Sequence, residues 1–318
     1  MSKQTISICI PAFNEAENLA VAIERVEALF EGELKDYALE IIITDNASTD
    51  NTWEEILRLA EKRSHLKGFR LSRNFGYQNS VFAALSLATG DAVVELDADL
   101  EDPPEVIPQF VKVWKEGYEV VYGVRAKRFD PIVLRFFISA FYRLLNRLSD
   151  IPIPENAGDF RLLDRKVVDV LKGLPETGLY VRGLVGFLGF DQKAVVYERQ
   201  PRQSGASKFN FLRYLGLALD AITAFSKTPL RLISLLGFAI FLVAVILAAR
   251  FLWIYMFQGV PVQGFTTLVV LLLILHGLTF IVLGVIGEYL GRVFDHSKNR
   301  PRAIISKAVN TTDFPRVI

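Results

Sequence analysis

The segment from residue 94 to residue 105 reads VELDADLEDPPE and holds six carboxylates in twelve positions. They are Glu95, Asp97, Asp99, Glu101, Asp102 and Glu105. Like charges repel, so this crowding is unfavourable unless a cation lies among them. Alternate side chains of an extended segment point to the same side, which lets Asp97 and Asp99 converge on one ion. Carboxylate oxygens suit a hard divalent cation such as Mg²⁺ or Mn²⁺, which can bridge protein to phosphate.

Composition excludes several other classes of function for this chain of 318 residues. The net charge is +1, so nothing indicates binding to nucleic acid. Cys9 is the single cysteine, which rules out a disulfide within the chain. The three histidines are scattered and lack the spacing of metal ligands. The N-terminal residues lack the cationic start and long apolar stretch of a signal peptide, and we expect none.

Two long uncharged stretches in the C-terminal third predict membrane-spanning helices. Residues 232–249 and 251–287 contain no Asp, Glu, Lys or Arg, and the second stretch is interrupted by QGVPVQG. About 20 apolar residues cross a bilayer, so we predict spans near 230–256 and 266–287. Lys and Arg flank the pair but are missing from the turn, which favours a cytoplasmic location for both chain ends. The alternative is a buried helical hairpin of a soluble protein.

The first 160 residues alternate between apolar runs of strand length and segments with helical periodicity. The apolar runs are TISICI (5–10), LEIIIT (39–44), GFRLS (68–72), AVVEL (92–96) and EVVYGV (119–124). The helical segments between them begin near Glu15, Asn51, Tyr77 and Pro103. Such alternation predicts an α/β fold with a mainly parallel sheet that is covered by helices on both faces. Ligands of these folds bind beyond the carboxyl ends of the strands.

Four polar segments follow the first four predicted strands and therefore meet at one edge of the sheet. They read PAFNEAEN, TDNASTDNT, SRNFGYQNS and the acidic segment. Each segment alone has a simpler interpretation, since Asn14 or Asp50 could cap a helix and Gly76 could form a turn. Their joint position at the ligand-binding edge predicts a functional site.

Three of these segments, IPAFNEAENL, TDNASTD and ELDADLEDPPE, resemble in order and spacing the signature of glycosyltransferase family 2 on a GT-A (Rossmann-like) fold. The segments GDFRLLDRKVVDVLKGLP (158–175) and RQPRQSGASKFNF (199–211) are similar to the dolichol-phosphate-mannose synthase branch of that family. The paired C-terminal spans most resemble the bacterial undecaprenyl-phosphate glucosyltransferases. The resemblance covers nearly the whole chain, up to about Arg302.

The resemblance implies transfer of a hexose from a nucleotide-sugar to a polyprenyl phosphate, with inversion and with UDP-glucose as the expected donor. GDP-mannose, UDP-N-acetylglucosamine and UDP-aminoarabinose are alternative donors. A processive polysaccharide synthase shares the early motifs, but its Q-x-x-R-W segment is not found in this sequence. A non-catalytic membrane protein that binds lipid or a partner is the alternative from another class. In the enzyme, Mg²⁺ or Mn²⁺ would lie between the acids and the donor diphosphate.

The resemblance also assigns roles to residues at the sheet edge. The implied metal ligands are Asp97, Asp99 and Glu101. A catalytic role is implied for Asp99 and for Asp159, which would orient or deprotonate the acceptor. Asp159 could instead form an ion pair with Arg161 or cap a turn. The implied nucleotide-sugar-binding residues are Pro11, Ala12, Phe13, Glu15, Asp45, Arg73, Asn74, Gly76 and Asp97.

The remaining acids of the segment have simpler expected roles. Asp102 and Glu105 would place favourable charge at the start of a helix, and Glu95 would face outward from its strand. One residue departs from the family pattern, since members often carry a second Asp at the position of Asn46.

The acceptor side is expected to be basic. Residues 125–147 contain six Lys or Arg residues and one acid. A helix over 131–149 would be amphipathic and suits a membrane interface, although the same periodicity fits packing on the domain. The expected acceptor phosphate-binding residues are Arg125, Arg128, Arg202, Ser207 and Lys208.

These features predict the organisation of the chain. We expect a catalytic domain (1–208), a juxtamembrane amphipathic helix (209–228), a two-helix transmembrane hairpin (229–290) and a tail (291–318). The catalytic domain and both termini are expected in the cytoplasm, and the resemblance implies a bacterial inner membrane. Small residues in both spans would permit close helix packing and a homo-oligomer.

Overall fold

The computed structural model describes residues 3–126, 157–175, 181–198, 264–298 and 300–318, and scattered positions between 233 and 257. Internal contacts divide the chain into two units. The first unit consists of Met1–Arg143, Ile151–Lys208 and Arg300–Ile318, and the second of Leu144–Asp150 and Phe209–Asn299.

The first unit is built on a sheet that has eight strands among the described residues. The strands are β1 (Thr5–Ala12), β2 (Ala38–Asp45), β3 (Leu66–Leu71), β4 (Ala92–Glu95), β5 (Val120–Arg125), β6 (Ala157–Asp164), β7 (Gln192–Tyr197) and β8 (Ile305–Val309). The helices are α1 (Ala16–Glu31), α2 (Thr52–Ala60), α3 (Tyr77–Leu87), α4 (Ile107–Lys115), α5 (Arg165–Gly173) and α6 (Val181–Phe187). A short 3₁₀ helix, Pro104–Val106, directly precedes α4.

The strand order across the sheet is β7-β5-β6-β4-β1-β2-β3-β8. Strands β4, β1, β2 and β3 are parallel neighbours, and β5 is parallel to β7. Strand β6 runs antiparallel between β4 and β5, and β8 runs antiparallel along β3. The carboxyl ends of β1 to β4 therefore share one edge, which is where the polar segments of the sequence lie.

Two clusters of buried apolar side chains cover the two faces of the sheet. Helices α1, α2 and α4 contribute to one cluster, for example through Ile23, Ile56 and Phe110. Helices α3, α5 and α6 contribute to the other, for example through Phe82 and Leu171. The predicted α/β fold, with a mainly parallel sheet covered on both faces, is thus confirmed, and it is GT-A-like in its arrangement. Strands β6, β7 and β8 were not anticipated.

The C-terminal segment corrects the predicted domain boundaries, which placed residues 291–318 outside the catalytic domain. Its strand β8 instead pairs with β3 in the sheet of the first unit, with Val309 opposite Gly68. The two strands approach closely, because a Cβ atom on Gly68 would lie 2.9 Å from Cγ1 of Val309 and 2.4 Å from Cγ2 of Ile56. Gly68 therefore permits both the packing of α2 and the pairing with β8.

Side chains that follow β8 also fix the C-terminal segment. Nδ2 of Asn310 donates to three backbone oxygens between α2 and β3, those of Ala60, Arg63 and Leu66, at 2.8–2.9 Å. The ring of Phe314 packs edge-on against Phe69 at 5.9 Å between centroids. The segment is thus an integral part of the first unit.

The second unit contains the helix α7 (Phe265–Ser297). Its window Ile274–Gly291 is long and apolar enough to cross a membrane, and none of that window is buried. It is the one such helix in the described part of the chain. About half of the first predicted span, near 230–256, lies outside the described residues, and the predicted helices 131–149 and 209–228 lie outside them entirely. The two-span hairpin therefore stays a prediction.

Candidate active site

The acidic loop begins directly after β4, at the edge where the carboxyl ends of β1 to β4 meet. The hydroxyl of Tyr77, the first residue of α3, donates to Oδ1 of Asp97 at 2.7 Å. Oδ1 of Asp99 accepts from the backbone N–H of Glu101 at 3.2 Å. Between them Leu100 has a φ of 58° and a buried side chain. This left-handed backbone is unfavourable for leucine and is retained because its side chain is packed.

Asp97 lies in an electrostatic environment that disfavours a negative charge. Burial, the charge of Asp159 and the charges of Asp99 and Asp102 together raise the pKa of Asp97 to about 7, although the hydrogen bond from Tyr77 opposes them. A neighbouring cation would reverse this effect, because opposite charge favours the ionised carboxyl. The crowded acids therefore fit a site that binds a cation.

The donor chemistry of the acidic loop suits the implied metal ion. Asp97, Asp99 and Glu101 offer the oxygen ligands that Mg²⁺ and Mn²⁺ prefer. No group of three His, Cys, Asp or Glu side chains within the described ranges is already arranged to hold a metal ion. Such an ion commonly binds through one or two carboxylates and takes its remaining ligands from water and substrate phosphates. The donor set fits an ion that is bound together with a phosphate-containing ligand.

Glu95 corrects the expectation that it faces outward from β4. Its side chain is buried, and Nε of Arg161 on the neighbouring strand β6 lies 3.3 Å from its Oε2. Burial raises the pKa of Glu95 well above its usual range, and the positive charge of Arg161 only partly offsets this effect. Glu95 is thus a buried partner of Arg161 rather than a surface acid.

Asp159 lies on β6 between two arginines. Its Oδ1 accepts from Nη2 of Arg161 at 3.2 Å and from Nη2 of Arg182, on α6, at 3.0 Å. Burial acts to raise the pKa of Asp159, but the two arginines outweigh it and the pKa lies below the usual value. Asp159 is therefore ionised at neutral pH. The ion pair with Arg161, which was one interpretation of the sequence, is present.

Asp102 corrects the expectation that it merely places charge at the start of a helix. It is buried, and both its oxygens lie 3.1–3.2 Å from Nη2 of Arg125, at the end of β5. The hydroxyl of Tyr197, at the end of β7, donates to Oδ1 of Asp102 at 2.5 Å. Arg125, a predicted phosphate ligand, therefore has two of its nitrogens directed at a carboxylate and a phenol. Glu105 lies in the first turn of the 3₁₀ helix, as expected, and also pairs with Arg25 of α1.

The predicted nucleotide side of the site lies at the ends of β1 and β2. Pro11 and Ala12 are the last two residues of β1, and Phe13 follows with its side chain exposed. Asp45 is the last residue of β2 and is fully buried. Its Oδ1 accepts from the backbone N–H of Ser48 at 2.8 Å. Its Oδ2 lies 3.4 Å from Nε of Arg70 but accepts no hydrogen bond from the described residues.

The loops after β1 and β2 are held to each other by hydrogen bonds. The backbone N–H of Asn14 donates to Oγ of Ser48, and the backbone N–H of Thr49 donates to Oδ1 of Asn14, both at 2.9 Å. The backbone N–H of Glu15 donates to Oγ1 of Thr52 at 2.9 Å. The side chain of Asn14 therefore bridges two loops rather than capping α1.

The loop after β3 brings the remaining predicted donor-binding residues to the same edge. The guanidinium of Arg73 stacks on the ring of Phe75 at 4.1 Å. Gly76 has a φ of 90° and lies immediately before α3. Arg73, Asn74 and Gly76 are all exposed. Arg128, Arg202, Ser207 and Lys208, which were expected to bind the acceptor phosphate, lie outside the described residues.

Comparison with known proteins identifies the family of this site. The model of the family described as "Glycosyl transferase family 2" matches residues 7–171, which include most of β1, all of β2 to β6 and the whole acidic loop. The chain belongs to glycosyltransferase family 2.

Members of this family with similar sequences match nearly the whole chain. The SfII prophage-derived bactoprenol glucosyl transferase of Shigella flexneri is 38% identical over 95% of this chain and 98% of its own length. The uncharacterized glycosyltransferase sll0501 of Synechocystis sp. is 39% identical over 95% of this chain and 94% of its own length.

A solved structure is also similar. The mannosyltransferase PcManGT from Pyrobaculum calidifontis, in complex with GDP-Man and Mn²⁺, is 20% identical with a TM-score of 0.48. The similarity covers 70% of this chain and 64% of the mannosyltransferase chain, which is less than two thirds of the length of the mannosyltransferase.

Several polar residues of this glycosyltransferase site were not found from its sequence. They are Tyr77, Arg70, Arg182 and Tyr197. The burial of Glu95 and Asp102 was not predicted either. Tyr77 carried a weak signal, since it follows Gly76 in one of the four polar segments. Arg182 and Tyr197 carried none, because each meets an acid that is more than 20 residues away along the chain.

Proposed function

We propose that this chain transfers a glucosyl group from UDP-glucose to a polyprenyl phosphate such as undecaprenyl phosphate. The observation that carries this proposal is its similarity to bactoprenol glucosyl transferases, which are 38% identical over 95% of the chain. The chain itself contains the four strand ends with their polar loops and the apolar helix α7. The chain thus has the two parts that a reaction between a soluble donor and a lipid acceptor requires.

The donor would bind at the edge formed by β1 to β4. Pro11, Ala12, Phe13 and Glu15 would contact the nucleoside, and Asp45 would read the base. The buried Oδ2 of Asp45 is an acceptor without a hydrogen bond from the described residues, so it is suited to a ring N–H of the base. Arg73, Asn74 and Gly76 would lie along the sugar and diphosphate.

The acidic loop would bind the diphosphate indirectly. Asp97 and Asp99, with Glu101 beside them, would hold a Mg²⁺ or Mn²⁺ ion, which supplies positive charge to the departing diphosphate. The raised pKa of Asp97 supports this assignment, because a carboxyl in this environment is easier to ionise when a cation is present.

In the proposed reaction an oxygen of the lipid phosphate attacks the anomeric carbon of glucose. The bond from that carbon to the β-phosphate oxygen of UDP breaks, so glucose passes to the lipid with inversion and UDP leaves. The lipid phosphate is already largely anionic at neutral pH, since the second pKa of a phosphate is about 6. A strong general base is therefore unnecessary, and catalysis rests on positioning and charge stabilisation.

Asp159 suits an orienting role in this reaction. Its pKa is lowered by Arg182 and Arg161, so it is a weak base. It would hold these two arginines near the reacting phosphates, where their positive charge favours an anionic acceptor. Arg125, and the predicted ligands Arg128, Arg202, Ser207 and Lys208, would complete the acceptor side.

The enzyme would act at the cytoplasmic surface of a bacterial inner membrane. α7 would be one of two spans of a hairpin over 229–290, with a juxtamembrane helix over 209–228 before it. The donor would enter from the cytosol, and the head group of the acceptor would lie at the membrane surface. Close packing of small residues in the spans would permit a homo-oligomer.

The test is a transfer assay with purified chain in detergent, undecaprenyl phosphate, Mn²⁺ and UDP-glucose labelled in the sugar. Label is expected in the organic phase as a polyprenyl-phosphate-sugar, and Asp99→Asn, which keeps the shape of the side chain, is expected to abolish it. Chelation of divalent ions should have the same effect. A panel of GDP-mannose, UDP-N-acetylglucosamine and UDP-aminoarabinose tests the sugar. Failure of all four donors to label lipid, with UDP still bound, would overturn the proposal.

A further inference from the structure

Asn46 is a buried amide at the carboxyl end of β2, with 4% of its surface exposed. Its backbone N–H donates to the carbonyl of Ala12, the last residue of β1, at 2.9 Å. Its side chain bonds to the loop after β3, where Nδ2 donates to Oδ1 of Asn74 at 3.1 Å and Oδ1 accepts from the backbone N–H of Phe75 at 2.9 Å. A backbone N–H can only donate, so the orientation of the amide is fixed.

The bond to Asn74 continues into the turn before α3. Oδ1 of Asn74 also accepts from the backbone N–H of Gly76 at 2.8 Å. Gly76 has a φ of 90°, which residues with a side chain rarely adopt. The side chains of Asn46 and Asn74 therefore hold the backbone of this turn in a conformation that the chain would otherwise leave easily.

The residue after this turn reaches the acidic loop. Tyr77 begins α3, and its hydroxyl donates to Oδ1 of Asp97 at 2.7 Å. A continuous path of hydrogen bonds and adjacent residues thus connects the end of β1 with the end of β4. Asn46 has the most buried polar side chain along it, and it touches neither Tyr77 nor Asp97 directly in the described contacts.

We infer that Asn46 is a positioning residue, which fixes the loop after β3 so that Tyr77 orients the carboxylate of Asp97 for its cation. The inference rests on the proposed function for the role of that cation. It also gives a reason for asparagine at this position. Aspartate would keep the acceptor for the N–H of Phe75, but it would lose the donor and place a carboxylate against Oδ1 of Asn74.

The first test is hydrogen exchange of the loop 72–77 in the ligand-free protein, in which no donor or metal is needed. Asn46→Ala and Asn74→Ala are each expected to speed exchange of the amides of Phe75 and Gly76. Asn74 is exposed, so Asn74→Ala removes the same bond even where Asn46→Ala does not fold. Thr44→Val is the matched control, because it removes another buried β2–α3 hydrogen bond, from Thr44 Oγ1 to the carbonyl of Ser80.

The second test is a titration with Mn²⁺ in the presence of UDP, followed by electron paramagnetic resonance. Asn46→Ala and Tyr77→Phe are each expected to weaken Mn²⁺ binding about three- to tenfold, the effect of one lost hydrogen bond. The double variant should lose no more Mn²⁺ affinity than the single variant that binds Mn²⁺ more weakly, since both substitutions act through the same path. Thr44→Val should lower the melting temperature and leave Mn²⁺ affinity unchanged.

Unchanged exchange of the loop in both asparagine variants would overturn the inference, as would multiplied losses of Mn²⁺ affinity in the double variant. Either result would leave glucosyl transfer by the wild-type chain untouched, so the proposed function would stand. Conversely, a chain that does not transfer glucose but shows the loop and Mn²⁺ effects would retain the positioning role and lose the proposed reaction.

Discussion

The hydroxyl of Tyr77 donates a 2.7 Å hydrogen bond to Oδ1 of Asp97, so the first residue of α3 reaches the loop that follows β4. A bond of this kind fixes the plane of a carboxylate and so sets the direction in which its other oxygen can bind a ligand. The site thus depends on a contact between two loops that are separate in the sequence, and its geometry follows from the sheet that brings them together.

Binding of Mn²⁺ in the presence of UDP is expected to weaken as the pH falls through about 7. The pKa of Asp97 is raised to about 7 by burial and by the charge of Asp159 and other acids. Protons compete with the metal for this carboxylate, so affinity at pH 6 should be about tenfold lower than at pH 8. The titration is followed by electron paramagnetic resonance at both pH values. Equal affinity at the two would contradict the assignment of Asp97.

Asp97→Asn is expected to stabilise the metal-free protein at pH 8. The pKa of Asp97 is 3.8 in a reference state and about 7 in the fold, so the folded state binds the proton more tightly. Stability should therefore fall as the pH rises from about 4 to about 7, and remain low above this window. Asparagine removes the unfavourable charge. Thermal melts with chelator at pH 5 and pH 8 should show a clearly larger gain for the variant at pH 8 than at pH 5.

Glu95→Gln is expected to retain activity, whereas Glu95→Ala is not. Burial raises the pKa of Glu95 well above its usual range and so favours the uncharged side chain, which glutamine resembles in shape and charge. Alanine would remove the partner of the buried Arg161 and leave a cavity beside Asp159. The assay of glucosyl transfer distinguishes the two variants. Strong loss in Glu95→Gln would show that the negative charge itself is required.

Tyr197→Phe is expected to lower the melting temperature by about 2–4 °C, the shift for a loss of about 1 kcal/mol in a domain of this size. It removes the hydroxyl that donates to Asp102 and keeps the ring that packs on Phe160. Asp102→Ala should cost more, because it leaves the charge of Arg125 without its buried partner. Lys193 lies on the same strand β7 as Tyr197 and forms an exposed pair with Glu116, so Lys193→Ala is the matched control and should change little.

Asn310→Ala is expected to destabilise the protein more than Asn310→Gly does. Both substitutions remove the three hydrogen bonds from Nδ2 to the chain between α2 and β3. Asn310 has a φ of 58°, which glycine adopts freely and alanine does not, so alanine adds backbone strain of about 1 kcal/mol. Thermal melts measure the difference. Equal melting temperatures would indicate that the C-terminal segment relaxes when its side chain is removed.

Local patterns allowed much of this fold to be predicted. The first five strands and the helices between them follow from apolar runs and helical periodicity, which are properties of neighbouring residues. The position of Asp97 and Asp99 at the sheet edge also follows, since a parallel sheet places the ends of its strands together. The buried state of Glu95 does not, because its partner Arg161 lies on β6 and arrives from a distant part of the chain.

The strands that were missed share a physical cause. The sequence ISKAV of β8 is short and half polar, and it becomes a strand because β3 offers an open edge beside Gly68. Local strand propensity cannot predict such a pairing, since the open edge exists only in the assembled sheet. Tyr197 and Arg182 were missed for a similar reason, as each acquires its role from an acid that the fold brings to it.

Strand β8 also has a consequence for the biosynthesis of the protein. The other seven strands end at Tyr197, and β8 begins only at Ile305, after the apolar helix α7. At the usual rates of translation this interval lasts on the order of ten seconds. During it the edge of β3 has unpaired backbone groups that can join other exposed strands. A nascent chain that stops before residue 305 would therefore carry an open, aggregation-prone sheet, and only a chain synthesised through the apolar helix can close it.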